Sequence, residues 1–169
     1  MSVRSARDVY LAENGFSTAA YDEPTATVTF WGRDYTVPNP PSRQLAVRFH
    51  DLHHVMTGYG TDPAGEFEMS AWEVRRGMRV FGAYVQLIIG SGALFGLLVF
   101  PVRTLAAWRA AKSPMRLPAP SLSIYEELLA LSLGELRARY GLPAEGIAGA
   151  RALHERAPRQ ARVLARTGP

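Results

Sequence analysis

HDLHHVMTGYGTDPAGEFEMSAWE, residues His50 to Glu73, is the stretch on which the reading of the whole chain turns. It holds three of the four histidines and five of the fifteen acidic residues, so the titratable chemistry is concentrated here. Leu45, Phe49, Leu52 and Met56 recur with helical period and predict a helix over residues 43–56. On that helix His50 and His54 lie one turn apart on the same face, and Asp51 lies beside His54 at i,i+3. Two imidazoles at this spacing can grip one cation. Gly58, Gly60, Pro63 and Gly65 mark a turn, after which a second apolar segment, from about Glu66 to Arg79, can bring the Glu66 carboxylate to the same point. Glu73 projects from the same side of this helix, placed to orient a ligand from behind. His53 points about 100° away from His54 and reads as a core or supporting residue. A lone histidine would read as a hydrogen-bonded core residue. The pair, with Asp51 and Glu66 at this spacing, reverses that reading in favour of a metal.

Outward from this stretch the pattern is mostly helical. Residues from about Ala6 to Glu13 form a short predicted helix, and TATVTFWGRDYTV predicts a hairpin from Thr27 to Val37, broken at Gly-Arg-Asp and able to brace the N-terminus. Pro38, Pro40 and Pro41 stop the strand and leave Ser42 as the expected N-cap of the histidine helix. Val80 to Val102 carries no charge and by length qualifies as a membrane span, but Gln86, Ser91 and four glycines weaken it, with arginines on both sides. The reading favours buried or membrane-docking helices over a true span. Arg103 to Met115 is a basic amphipathic piece with Trp108, of the kind that lies at a lipid headgroup surface or forms a solvated face. Pro114, Pro118 and Pro120 form a connector. Ser123 to Tyr140 is helical again and stops at Gly141. The expected fold is mainly α, a single domain of five to six helices with a small N-terminal β-hairpin. Its parts are an N-terminal segment 1–37, a helical domain 38–143 and a basic tail 144–169.

Composition narrows the chemistry. A chain of 169 residues supports one domain with a real core. It has no cysteine, so a metal here must use histidine and carboxylate ligands, and disulfides play no part. The formal charge is +4 and Lys112 is the single lysine. No secretory signal is read in the first twenty residues. The arginines of the tail carry no aromatic platform and no recognised motif, so a solvated or lipid-facing tail is expected and nucleic acid is not. The glycines at 90, 92 and 96 lie in an apolar run with no following lysine, which gives no phosphate loop and no nucleotide cofactor. HDxxH differs from the HExxH of zinc proteases in a shorter carboxylate, better suited to ligate or orient than to activate water.

His50, Asp51, His54 and Glu66 match the HDxxHx11E signature, and on these residues the chain resembles the Coq4-like family of ubiquinone biosynthesis proteins. Gly65, the Ala71-Trp72 pair and Glu73 extend the likeness, as do Pro101-Val102-Arg103 and the YEELLALSLGELRARYGLP segment, so that it covers residues 38–143. The longer apolar run is a departure from the family pattern. The resemblance implies a divalent metal, zinc being the first expectation, held by His50, Asp51, His54 and Glu66, with Glu73 supporting them; iron or manganese suits a more open site. It also implies a polyprenylated quinone precursor or isoprenoid lipid as partner, and a metal-dependent step at the ring, its C1 decarboxylation with hydroxylation. The alternative is a non-catalytic lipid-binding scaffold for other quinone biosynthesis enzymes. A cytoplasmic protein, peripheral on the inner face of the cell membrane, is expected.

Overall fold

The computed structural model describes residues 1–30, 33–112, 117 and 119–150. Gly32 of the hairpin break, Pro114 and Met115 at the end of the amphipathic segment, Pro118 of the connector, and the basic tail from residue 151 lie outside the described residues. The fold is mainly α with one two-stranded antiparallel sheet. Its helices are α1 (Val3–Glu13), α2 (Pro41–Thr57), α3 (Pro63–Arg76), α4 (Ala83–Val99), α5 (Pro101–Ala110), α6 (Leu122–Ala130) and α7 (Leu133–Arg139), and its strands β1 (Thr25–Phe30) and β2 (Arg33–Pro38).

The described α-helices number seven, beside two short 3-10 helices at Thr18–Asp22 and Met78–Phe81, and both the apolar run and the last helical segment are interrupted by their own residues. The apolar run ends α4 at Phe100, where Pro101 has no N–H to continue the ladder and starts α5 as its first residue. The segment Ser123 to Tyr140 divides at Ser132, whose side chain accepts from Glu135 N–H while Glu135 accepts from Ser132 N–H, a complete capping box. Among the described residues no helix is long and apolar enough to cross a membrane.

The histidine helix begins two residues earlier than expected. Pro40 is its N-cap and Pro41 its first residue, pre-set in φ for a helix, while Ser42 sits inside the first turn and makes no cap. α3 likewise starts at Pro63, because the Asp62 side chain accepts from Gly65 N–H, and it ends at Arg76 because Gly77 takes a left-handed φ of 99°. The hairpin pairs Thr27 with Thr36 and Val28 with Tyr35. β2 is largely exposed, so the brace comes from its end: buried Asn39 donates to the Tyr21 and Glu23 carbonyls.

α2 and α3 are the centre. α1, α6 and α7 pack on α2, and α4 and α5 pack on α3. Leu52, Met56, Met69, Trp72, Leu129 and Leu136 are fully buried between them. α4 meets α3 through its small residues. A Cβ on Gly92 would lie 2.5 Å from Ser70 Oγ, and one on Gly96 would lie 2.6 Å from Phe67 Cβ and 2.7 Å from Thr104 Oγ1. The close approach is clamped by Arg103 on α5, which donates to the buried Glu68 carboxylate of α3 at 2.6 Å.

Gly96→Val should therefore drive side-chain atoms into α3 and cost about 2 kcal/mol, lowering the melting temperature by about 4–8 °C in circular dichroism. Gly90→Ala, on the same helix with nothing within 4 Å of its Cβ position, should instead stabilise by up to about 1 kcal/mol through helix propensity. Equal effects of the two substitutions would mean that α4 is not seated on α3 as described.

Candidate metal centre

α2 delivers the two histidines and the first turn of α3 delivers the glutamate. The turn between them is tight because Gly60 approaches Gly65 so closely that any side chain at Gly65 would strike the Gly60 carbonyl. That glycine fixes where Glu66 enters. The His50 and His54 rings stand edge to face, 4.7 Å between centroids and 82° between planes. Their Nε2 atoms are 3.1 Å apart. Glu66 Oε2 lies 3.3 Å from His50 Nε2, and Glu66 Oε1 lies 3.5 Å from His54 Nε2. A cation bonded to such atoms at about 2.0–2.1 Å in tetrahedral geometry would separate them by about 3.3–3.4 Å. His50, His54 and Glu66 can together hold a metal ion.

The partners on the far side of each ring set its protonation. His54 Nδ1 meets the Tyr59 carbonyl at 3.0 Å; a carbonyl only accepts, so Nδ1 carries hydrogen and Nε2 presents a lone pair. His50 Nδ1 and His53 Nδ1 converge on the two oxygens of Glu73, at 3.1 and 2.7 Å. Burial alone would push Glu73 up. The charge of His50 and the hydrogen bonds from both histidines outweigh it and hold the carboxyl at about 2. As an anion it only accepts, so His50 Nδ1 also donates. His50 Nε2, His54 Nε2 and the Glu66 oxygens then face one another as three acceptors, and one shared cation is needed between them. Without a metal that cation is a proton on His50. Its pKa is raised well above the ordinary value, burial being overcome by the Glu73 charge and the Glu66 hydrogen bond. Burial also acts on Glu66, but the hydrogen bond from protonated His50 and the pull of the histidine pair keep it far below the usual carboxylate range.

The supporting residues complete the surroundings. Tyr10 of α1 stacks on His54 at 5.5 Å and 18°, sealing that side. His53 is buried, and its pKa is lowered by that burial, so it serves as a neutral donor behind the centre and not as a ligand. Asp51 was expected as a fourth ligand or an orienter. Its carboxylate accepts from the Tyr21 hydroxyl at 2.6 Å and lies outside the converging group; burial pushes its pKa up, while the His50 charge and the Tyr21 hydrogen bond pull the other way. His54 is fully buried, while the side chains of His50 and Glu66 are 25% and 41% exposed, which leaves one side of the centre open to solvent. Tyr10, Tyr21 and the Tyr59 carbonyl carry no signal in the sequence. The first two come from a segment outside the motif, and a backbone carbonyl has no residue type to recognise. A cleft of about 450 Å³ on the other side of Tyr21 is lined by Arg4, Arg7 and Arg48, each already paired with Glu126, Asp8 or Asp22.

Comparison with protein-family profiles, curated proteins and solved structures gave no match.

A metal must displace the His50 proton, so affinity should rise with pH by up to about tenfold per unit until the raised His50 pKa is passed. The metal-free protein should behave oppositely. A histidine whose pKa is raised on folding stabilises below its unfolded value of about 6.5, and that contribution is lost as pH climbs through the folded value. Melts in chelator should thus move down as pH climbs from about 6.5 toward the raised folded value, and the rise in melting temperature on adding metal should widen over the same interval. A metal-induced rise that is flat with pH would argue against His50 as a ligand.

Proposed function

We propose that the protein is a metal-dependent enzyme of prenylated quinone biosynthesis that acts at the carboxylate of a polyprenylated aromatic acid. The observation that carries this reading is the set of three facing acceptors, two imidazole nitrogens each oriented from behind and one carboxylate, open on one side. The likeness of His50, Asp51, His54, Glu66 and Glu73 to the Coq4-like pattern supplies the substrate class.

A closed four-ligand centre would suit a structural metal. Three protein ligands and an open side suit one that binds substrate. Two histidines and one carboxylate are also the ligand set of non-haem iron oxygenases, so for an oxidative step iron(II) or manganese fits better than zinc, which has no redox chemistry. The metal, when bound, supplies charge stabilisation at the ring carboxylate or phenolate and a place for dioxygen. The chain's own residues do the rest. His50, His54 and Glu66 hold the ion. Glu73 and the Tyr59 carbonyl keep both imidazoles in the tautomer that presents Nε2. The stack of Tyr10 on His54 closes one flank and directs access to the side where His50 and Glu66 are exposed. Asp51, fixed by Tyr21, adds negative charge behind the two imidazoles without occupying a coordination position. In the overall step the ring carboxylate would leave as carbon dioxide, one atom of dioxygen would become the new hydroxyl, and a two-electron reductant from outside the chain would take the other atom to water. The chain carries no flavin or haem motif for this.

Elemental analysis of purified protein should find about one divalent ion per chain, and His54→Ala should lose it, since two remaining ligands poorly repay desolvation of the ion. Asp51→Asn should retain the metal, because its contact is to Tyr21. Cells depending on Asp51→Asn should nonetheless accumulate a prenylated ring acid that still carries its carboxylate, as the charge around the ligands changes. Full metal occupancy in His54→Ala would refute the centre. Unaltered quinone levels with metal-loaded Asp51→Asn would point to a scaffold in which the metal does no chemistry.

A further inference from the structure

The polarity of α4 is inverted. Its protein-facing side is Val85, Ile89, Gly92 and Gly96, two of them glycines pressed against α3, while its bulky residues point outward. Leu87, Leu94 and Leu98 are 71, 61 and 73% exposed, and Val102 at the start of α5 is 82% exposed. Phe95 and Val99 widen the same face. Single exposed apolar residues are ordinary, but a row of large ones along a helix that buries its small ones is a surface built to meet something apolar.

Charge decides what that is. From Val74 to Tyr125 the chain has no Asp or Glu, while Arg109 and Lys112 stand exposed at the end of α5 and Arg75 lies over the Trp108 ring at 5.3 Å. A second copy docked face to face would set this basic stretch against its own, like charge against like. An anionic bilayer matches both features, taking the apolar row among its acyl chains and the arginines and lysine among its headgroups. The break at Phe100–Pro101 ends α4 after 17 residues, and among the described residues no helix is long and apolar enough to cross a membrane.

We infer that the outward face of α4 and the start of α5 is a membrane-docking surface for anionic lipid, and that docking sets the metal centre at the edge of the bilayer. The second part follows from packing. Phe67, next in sequence to Glu66, packs on Gly96 and its ring lies 6.1 Å from that of Phe100, so the ligand-bearing turn of α3 sits beside the α4–α5 corner. A prenylated acid can then keep its chain in lipid while its ring reaches the centre. That use of the surface rests on the proposed function; the docking itself does not.

The test is co-sedimentation of the full chain with vesicles of phosphatidylcholine and phosphatidylglycerol at 7:3 and with phosphatidylcholine alone, as purified and after chelation. Binding should be tighter to the anionic vesicles by about tenfold or more and weaken with salt. Leu98→Glu/Val102→Glu, two exposed positions whose change leaves the core intact, should reduce it by about tenfold or more, with circular dichroism to verify folding. Arg109→Glu/Lys112→Glu should remove the preference for anionic vesicles. Chelation should leave binding unchanged, which separates the docking surface from the metal reading. No binding by the wild type, equal binding by folded Leu98→Glu/Val102→Glu, or a dimer in sedimentation velocity that this variant dissociates, would each overturn the inference.

Discussion

Glu73 is a carboxylate with no solvent exposure, and the arrangement of α2 on α3 depends on how its charge is met. An isolated buried carboxylate is costly. Here it is bound by N–H groups from His50 and His53, one turn apart in helical sense and both on α2. Breaking such a pair costs about 3–5 kcal/mol, because one partner stays buried and uncompensated. The two oxygens also fix the relative rotation of the helices. With α2 and α3 locked in this register, His50 Nε2 can turn only toward His54 and Glu66. Fold and centre thus share one electrostatic constraint.

The same constraint explains the division of labour across α3. Its face toward α2 carries Glu73 and the ligand Glu66, whereas its other face is left for α4, and there contact is made through absent side chains, at Gly92 and Gly96. Close helix approach places the bulky residues of α4 on the outside. The helical pair that brings the three acceptors together and the helix with the exposed apolar row are therefore adjacent layers, and Phe67 lies where they meet. Arg103, pairing with buried Glu68, ties α5 to the same helix and neutralises a second buried carboxylate of α3.

What the sequence made legible follows from how local each feature is. The HDxxHx11E spacing and the helical period around Phe49 needed only neighbours on one helix and one turn, and His50, His54, Glu66 and Glu73 come together in space as that spacing implies. Helix boundaries were less legible where two signals compete. Pro40 and Pro41 outranked Ser42 at the start of α2, and Asp62-Pro63 outranked Glu66 at the start of α3. Asp51 shows the limit of motif spacing. Its position on α2 is fixed, but its rotamer is settled by Tyr21, thirty residues upstream, which no local pattern connects to it. The apolar run read ambiguously because hydropathy does not say which side of a helix is covered. Only the packing of Gly92 and Gly96 resolves this, and it does so in favour of two helices divided at Pro101.

The compactness of the ligand set in sequence has a kinetic side. His50, His54 and Glu66 are separated by at most sixteen residues, joined by the turn from Gly58 to Asp62. Loop-closure entropy grows only with the logarithm of loop length, and contacts this near in sequence are among the first a collapsing chain can afford. An ion held by these three residues would close α2 onto α3 across a short loop, and would need neither the Tyr10 and Tyr21 segment nor α4 in place to do so.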